Sequence, residues 1–290
     1  MILVAGGQLD FNIGRLLGRM LQRRVPFIQI LVGPELVPSI TLDLMKDELR
    51  LNGAVIRPTA CFMRHDVFLQ MSGRSEHAQA AALNWYNAIK GWEAAHDNVR
   101  GFNKTSIGSE NSKLHNLYLA KRCGLAIPET LVTNEFASAA ASMRGALIEK
   151  PVAGGEYTTR LASLRNKLKG AHPVARYPRF VQRKLARPEM RVYRIGGEII
   201  SFHLASRDLD YREHNRVKLS VTKAPRKIEA RLRALTDQLG LDFAAADFMR
   251  NPRGEYCFLE VNTQPMFAAF DKVADGRICD AIIDHLLRAR

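Results

Sequence analysis

Three oxygen-bearing side chains near the end of the chain have the types and spacing of a hard-cation site. The segment FAAADFMRNPRGEYCFLEVN reads as a β-hairpin turning at Asn251-Pro252-Arg253-Gly254, with Asp247 on the first strand and Glu260 and Asn262 on the second. Strand side chains alternate faces, so Glu260 and Asn262 share one. Any register that sets Asp247 opposite an even-numbered residue of the second strand brings all three to that face. Such donors suit Mg²⁺, which takes one or two carboxylates and fills its other positions with phosphate oxygens and water. The neighbours Phe243, Ala244, Ala245, Ala246, Phe258, Leu259 and Val261 are apolar, so carboxylates there would be costly without a cation. The plainer alternative is pairing of Asp247 and Glu260 with nearby Arg250 or Arg253.

Cations also lie where a phosphate chain could be clamped. Lys113 follows Asn111-Ser112 at the start of a helical stretch, and Lys150 ends the apolar run ALIEK before PVAGG. Gly154 and Gly155 would let backbone N–H groups approach phosphate oxygens, although a hairpin turn beside a solvated lysine has the same sequence. Arg160, Arg165, Lys167 and Lys169 follow in a polar stretch that suits a lid or a solvated basic face. The run RFVQRKL then leads into Gln182-Arg183-Lys184-Leu185, with Glu189 a short loop later. Such a hinge can offer a backbone carbonyl and N–H to an adenine edge and a carboxylate to ribose hydroxyls. Arg64-His65-Asp66 either touches a substrate or is a charged strand end.

These side chains need rigid carriers. Residues 1–35 pattern as strand, helix, strand, a βαβ opening whose Gly6-Gly7 reads as a tight turn rather than a dinucleotide fingerprint. ITLDL, ELRLNG and AVIRP suggest a small β excursion. An Ala-rich stretch from Ser75 to His96 is helical, as is Ser112–Cys123, closed by Gly124. PETLVT, ALIEKPVAGGEY, RFVQRKL, MRVYRIGGEIISFHLAS and the last hairpin then read as strands, and a helix from Gly276 to Arg288 follows. The 43 Lys and Arg against 29 Asp and Glu in 290 residues give a net charge of +14, which steers acidic partners without choosing among nucleic acid, acidic peptide, nucleotide or anionic membrane. Cys61, Cys123, Cys257 and Cys279 lie far apart, the pattern of reduced thiols in a cytoplasm. No run approaches the ~20 apolar residues of a membrane span.

The order Asn111-Ser112-Lys113, IEKPVAGG, VQRKLARPE, Asp247 and LEVN resembles the ATP-grasp ligase superfamily over roughly the last two thirds of the chain. Within it, NSKLHNLYLAKRCGLAIPETLVTN and SRDLDYR are similar to motifs of the branch holding the ribosomal-protein glutamate ligases and the maturases of microviridin-like graspetides. The resemblance implies an α/β (α+β) ATP-grasp fold. Residues 1–108 would form an N-terminal βαβ pre-ATP-grasp domain, 109–186 a central lid subdomain and 187–290 a C-terminal subdomain with the metal site. It further implies that Lys113 and Lys150, with Gly154 and Gly155, contact ATP phosphates. Gln182 and the backbone of Arg183 and Leu185 would hold adenine, Glu189 the ribose, and Asp247, Glu260 and Asn262 two Mg²⁺ ions.

The chain departs from the family where Gln182 replaces a frequent Glu, where Ala245 replaces an arginine that some members carry, and in a shorter Gly-rich loop. Arg212, then Arg191, are the cations expected to meet the negative charge that develops on the acyl carbon's oxygen. The expected reaction phosphorylates a carboxylate and passes the acyl group to an amine or hydroxyl. An acidic peptide or carboxylate is the expected partner, in a cytoplasmic enzyme without a membrane anchor and with a homodimer left open. Two rivals stand beside it: a glutamate-type ligase extending a protein tail or metabolite, and a non-catalytic nucleotide-binding module that binds nucleic acid.

Overall fold

The computed structural model describes residues 1–33, 36–65, 76–106, 111–153, 157–163, 174–210 and 217–288. The chain opens with β1 (Ile2–Gly7), α1 (Phe11–Gln22) and β2 (Phe27–Val32), and with β6 (Ala60–Met63) these strands make a parallel sheet of order β2-β1-β6. Asp10 starts α1 by accepting from the Asn12 N–H at 2.8 Å. The expected excursion is present as β3 (Ile40–Asp43), β4 (Glu48–Leu51) and β5 (Ala54–Ile56), an antiparallel sheet. Then come α2 (Glu76–Ala95) and a short 3-10 turn at Lys104–Ser106.

A second antiparallel sheet has the order β7-β10-β8-β9 and is built from β7 (Thr130–Thr133), β8 (Leu147–Pro151), β9 (Thr159–Arg160) and β10 (Arg179–Arg183). It is preceded by α3 (Lys113–Arg122), and α4 (Phe136–Ser142) lies between β7 and β8. Ser112 caps α3, and just past its C-cap Cys123 the chain turns at Gly124, whose φ of +78° suits a residue without Cβ. The third antiparallel sheet, of order β13-β12-β11-β14-β15, carries β11 (Ala186–Ile195), β12 (Glu198–Ala205), β13 (Lys218–Thr222), β14 (Phe243–Arg250) and β15 (Tyr256–Asn262). Helices α5 (Arg226–Gln238), α6 (Ala268–Val273) and α7 (Arg277–Leu287) complete it. Residues 184 and 185 join β10 to β11, so a two-residue hinge links the second sheet to the third.

Burial on both faces of the third sheet explains its continuous apolar runs. Even-numbered Met190, Val192, Ala244 and Ala246 face Leu117 of α3 and Leu232 of α5. Odd-numbered Tyr193, Ile195, Phe243 and Ala245 pack in a core with Val4, Ile13, Leu16, Phe270 and Ile282, so β1, α1, α6 and α7 share that face. Arg19 and Arg23 donate to Asp280 and Asp284, each at 2.6 Å, and clamp α1 onto α7. Among the described residues no helix is long and apolar enough to cross a membrane.

Candidate functional site

The candidate site lies along the odd-numbered face of β11 and β14, beside the shared core. The hairpin pairs Asp247 with Glu260 and Ala245 with Asn262, so the three oxygen donors share one face as the alternation requires. An irregularity after Asp247 skips Leu259 and sets Phe248 opposite Phe258. Asp247 is 4% exposed, and its carboxylate accepts from Arg191 Nε at 2.7 Å and from Arg191 Nη2 at 2.8 Å, across the β11–β14 pairing. Arg191 also lies 5.2 Å from the Phe270 ring centroid. Glu260 pairs instead with Lys113 at 2.9 Å, because the N-terminus of α3 packs against β15. The alternative partners Arg250 and Arg253 are therefore replaced: Arg250 donates to the Tyr256 hydroxyl at 3.1 Å, and the Arg253 N–H donates to Asn251.

Lys150 projects from β8 with its Nζ 5.6 Å from the Phe180 ring centroid. Burial lowers its pKa while Glu260 opposes the shift, so the solvated lysine of the plain-turn reading is not what the fold presents. Burial raises the Asp247 pKa against the pull of Arg191. Burial also works on Glu260, but Lys113 and Lys150 outweigh it and hold that carboxyl below its usual range. Glu189 is pushed up to about 8, first by burial and then by the Asp247 charge, with Arg187 Nη1 3.5 Å away. Among the described residues no three His, Cys, Asp or Glu side chains cluster as metal ligands. The donor set is thus two carboxylates and the Asn262 amide, whose unused lone pairs fit an ion that draws its other ligands from phosphate and water.

The other end of the cleft is polar in a different way. Gln182 on β10 donates from Nε2 to Thr130 Oγ1 at 2.9 Å, and Thr130 Oγ1 spends its single proton on Pro128 O at 2.7 Å. That hydroxyl must then accept, which orients the Gln182 amide and leaves its buried Oε1 without a protein partner. A buried orphan acceptor on the cleft wall fits a ligand amino group. The Arg183 N–H is bonded to Glu129 O and the Lys184 N–H to Ala146 O. Arg183 and Leu185 both line the cleft, which has a volume of about 400 Å³ and runs from Gln182 past Lys150 to Glu260 and Asn262. Asn262 and Gln264 also border a second cavity of about 820 Å³ that reaches α2, β6 and the 3-10 turn.

The fold therefore gathers Lys113, Lys150, Gln182, Arg183, Leu185, Glu189, Arg191, Asp247, Glu260 and Asn262 around one cleft. Gly154, Gly155 and Arg212 lie outside the described residues, as do Asp66, Arg165, Lys167 and Lys169. Arg64 directly follows β6 and is the charged strand end of the two readings, but it is fully buried against Asp10 rather than open to a substrate. Sequence reasoning missed Arg187 and Asp210 on the cleft wall. Arg187 Nη2 donates to Leu209 O at 2.9 Å, and Asp210 accepts from the Thr158 N–H at 3.3 Å. The sequence signals were the quoted runs themselves: Arg187 lies in VQRKLARPE and Asp210 in SRDLDYR.

No family model matches the chain, and no curated protein matches it. Solved structures do. An ATP-grasp ligase, PsnB, complexed with a minimal precursor, Mg and ADP superposes with a TM-score of 0.76 at 21% identity, covering 99% of this chain and 98% of that one. A Chryseobacterium gregarium RiPP-associated ATP-grasp ligase, in complex with ADP and a leader and core peptide, gives 0.77 at 21% identity over 98% and 96%. The macrocyclase MdnC bound with precursor peptide MdnA, from Microcystis aeruginosa, gives 0.73 at 19% identity over 99% of both chains. The chain has the ATP-grasp fold over nearly its whole length.

Proposed function

We propose that this chain is an ATP-dependent carboxylate–amine or carboxylate–hydroxyl ligase that works through an acyl phosphate and modifies a peptide rich in acidic side chains. The observation that carries the reading is the single cleft in which Asp247, Glu260 and Asn262 share one sheet face, flanked by Lys113 and Lys150, with the unpartnered Gln182 Oε1 at the far end. The solved structures similar to it include ligases complexed with Mg, ADP and precursor peptides, which supports ATP and Mg²⁺ as its cofactors, with two ions the number we propose.

Asp247, Glu260 and Asn262 are the residues that would hold Mg²⁺, whose contribution when bound is to neutralise the β- and γ-phosphate oxygens. Lys113 and Lys150 meet the remaining phosphate charge, and Gly154 and Gly155 offer backbone N–H groups. Gln182 Oε1 and the Arg183 carbonyl read the adenine edge beside Leu185, while Glu189 takes the ribose hydroxyls. A carboxylate is a poor electrophile, and phosphorylation supplies it with a leaving group. Arg212 stabilises the oxyanion formed as the amine or hydroxyl attacks, with Arg191 as the second candidate.

Residues 1–108 serve substrate recognition, 109–186 form the nucleotide lid and 187–290 carry the metal end. The net charge of +14 favours an acidic substrate. The cysteines, all unpaired, suit a reducing cytoplasm. A homodimer is the assembly to test by light scattering.

Calorimetric titration of MgADP into wild type and into Glu260→Gln with Asn262→Ala tests the site. Magnesium-dependent binding that the double variant loses is expected, followed by ATP-dependent loss of one water per bond from acidic peptides in mass spectra. No binding to wild type sinks the reading.

A further inference from the structure

The segment after Asn262 is held by the side chains of Asn12, Arg64 and Asn103 from the N-terminal part of the chain and of Tyr193 from β11. Pro265 O accepts from Arg64 Nη1 at 2.6 Å, and the Phe267 and Ala268 N–H groups donate to Asn12 Oδ1 at 2.7 and 2.8 Å. The belt continues with Thr263 O, which accepts from Asn103 at 3.3 Å, and Met266 O, which accepts from the Tyr193 hydroxyl at 2.6 Å. Arg64 is 0% exposed, its Nε donates to Asp10 Oδ2 at 2.8 Å, its Nη2 reaches Met266 Sδ at 3.2 Å, and its guanidinium lies 5.7 Å from the Phe267 ring centroid. The other Asp10 oxygen accepts from the Asn12 backbone N–H and its Nδ2, so Asp10, Asn12 and Arg64 form one buried unit.

Burying an Arg–Asp pair carries a desolvation cost that a hydrophobe of similar volume would avoid, and what the pair supplies in return is geometry. The Arg64 fork spans Asp10 at the N-cap of α1 and Pro265 beyond β15, a distance no apolar side chain would bridge with hydrogen bonds.

We propose that Arg64, together with Asn12, is a positioning residue for the metal end of the cleft. It fixes the backbone from Thr263 to Ala268 and through it the aim of Asn262 and of Gln264, whose buried Oε1 has no protein partner at the junction of the two cavities. The inference rests on the nucleotide reading above and extends it to the N-terminal unit.

Arg64→Lys keeps the charge against Asp10 but cannot span Asp10 and Pro265 together. ADP is titrated calorimetrically into the full chain with and without Mg²⁺, at a temperature where wild type and R64K are both folded. R64K is expected to bind metal-free ADP as wild type does and to lose affinity for MgADP by about tenfold, with the Mg²⁺ midpoint displaced upward, the size typical of residues behind metal ligands. Unchanged magnesium dependence overturns the inference. An equal loss with and without metal also overturns it, because general loosening of the fold produces that. Should R64K fail to fold, Arg64→Gln with Asp10→Asn removes both buried charges, keeps an amide pair and is read the same way. Wild type that binds no MgADP overturns the nucleotide reading and this inference with it, a failure distinct from a wild type that binds beside an unaffected R64K.

Discussion

Asp247→Asn keeps the shape of the buried pair with Arg191 and removes its negative charge. Breaking a buried pair from one side costs about 3–5 kcal/mol when the partner charge is left uncompensated. Compensation is at hand, because Glu189 is held up to about 8 partly by the Asp247 charge and can ionise beside Arg191 once that charge is gone. Compensation on the order of one pKa unit is worth about 1.4 kcal/mol, which leaves about 2–3 kcal/mol from the middle of that range. With ~2.1 cal/mol/K of unfolding entropy per residue over 290 residues, the melting temperature should fall by about 3–5 °C. Differential scanning calorimetry measures it directly. In the same instrument MgADP at a hundred times its Kd should raise wild type by about 4 °C, from ~2.7 kcal/mol of linkage, and leave the variant unmoved. A fall of about 8 °C or more would refute the compensation by Glu189. Equal MgADP protection of both proteins would refute Asp247 as a ligand.

Gln182→Ala removes the orphan acceptor and should weaken ADP by about 1–2 kcal/mol while narrowing its advantage over GDP, read by competitive titration. Glu189 gives the chain a pH signature: the unfolded state loses this proton near the ordinary carboxyl value of 4.5 while the folded state keeps it to about 8, so stability contributed by the group declines as pH rises through that window. Melting temperatures of Glu189→Gln across that range should run flatter than wild type, and parallel curves would refute the assignment. Lys150→Met should keep or raise the melting temperature, since burial already disfavours the Lys150 charge, yet weaken nucleotide binding about tenfold or more, a split checked by calorimetry and titration on one preparation.

The donor face was legible because two local rules suffice for it: period two along each strand, and a turn at residues 251–254 where Gly254 takes a φ of +80°. The identity of the partners was not. Arg191 meets Asp247 from 56 positions away in sequence, and no local pattern says that β11 inserts between β12 and β14. The same holds for the surroundings of Lys150: the sequence offers either a phosphate clamp or a solvated turn lysine, and only the pairing with β10 places Phe180 beside it. The Gln182 acceptor became visible only when β7 delivered Thr130, whose proton was already committed. The burial of Arg64 was not legible, because it depends on an aspartate 54 positions upstream and a carbonyl 201 positions downstream.

The clamp of α7 on α1 also bears on how the chain is made. Ile13, Leu16 and Met20 of α1 find part of their cover in Ile278, Ile282 and Leu286. A ribosome adding about 5–20 residues per second needs roughly ten to fifty seconds to travel from one helix to the other. Throughout that interval the nascent chain shows an unsatisfied apolar stripe, and the parallel β1 sheet beneath it lacks its final support. The opening unit is therefore a poor candidate for expression by itself, since its burial is completed by residues synthesised long after it.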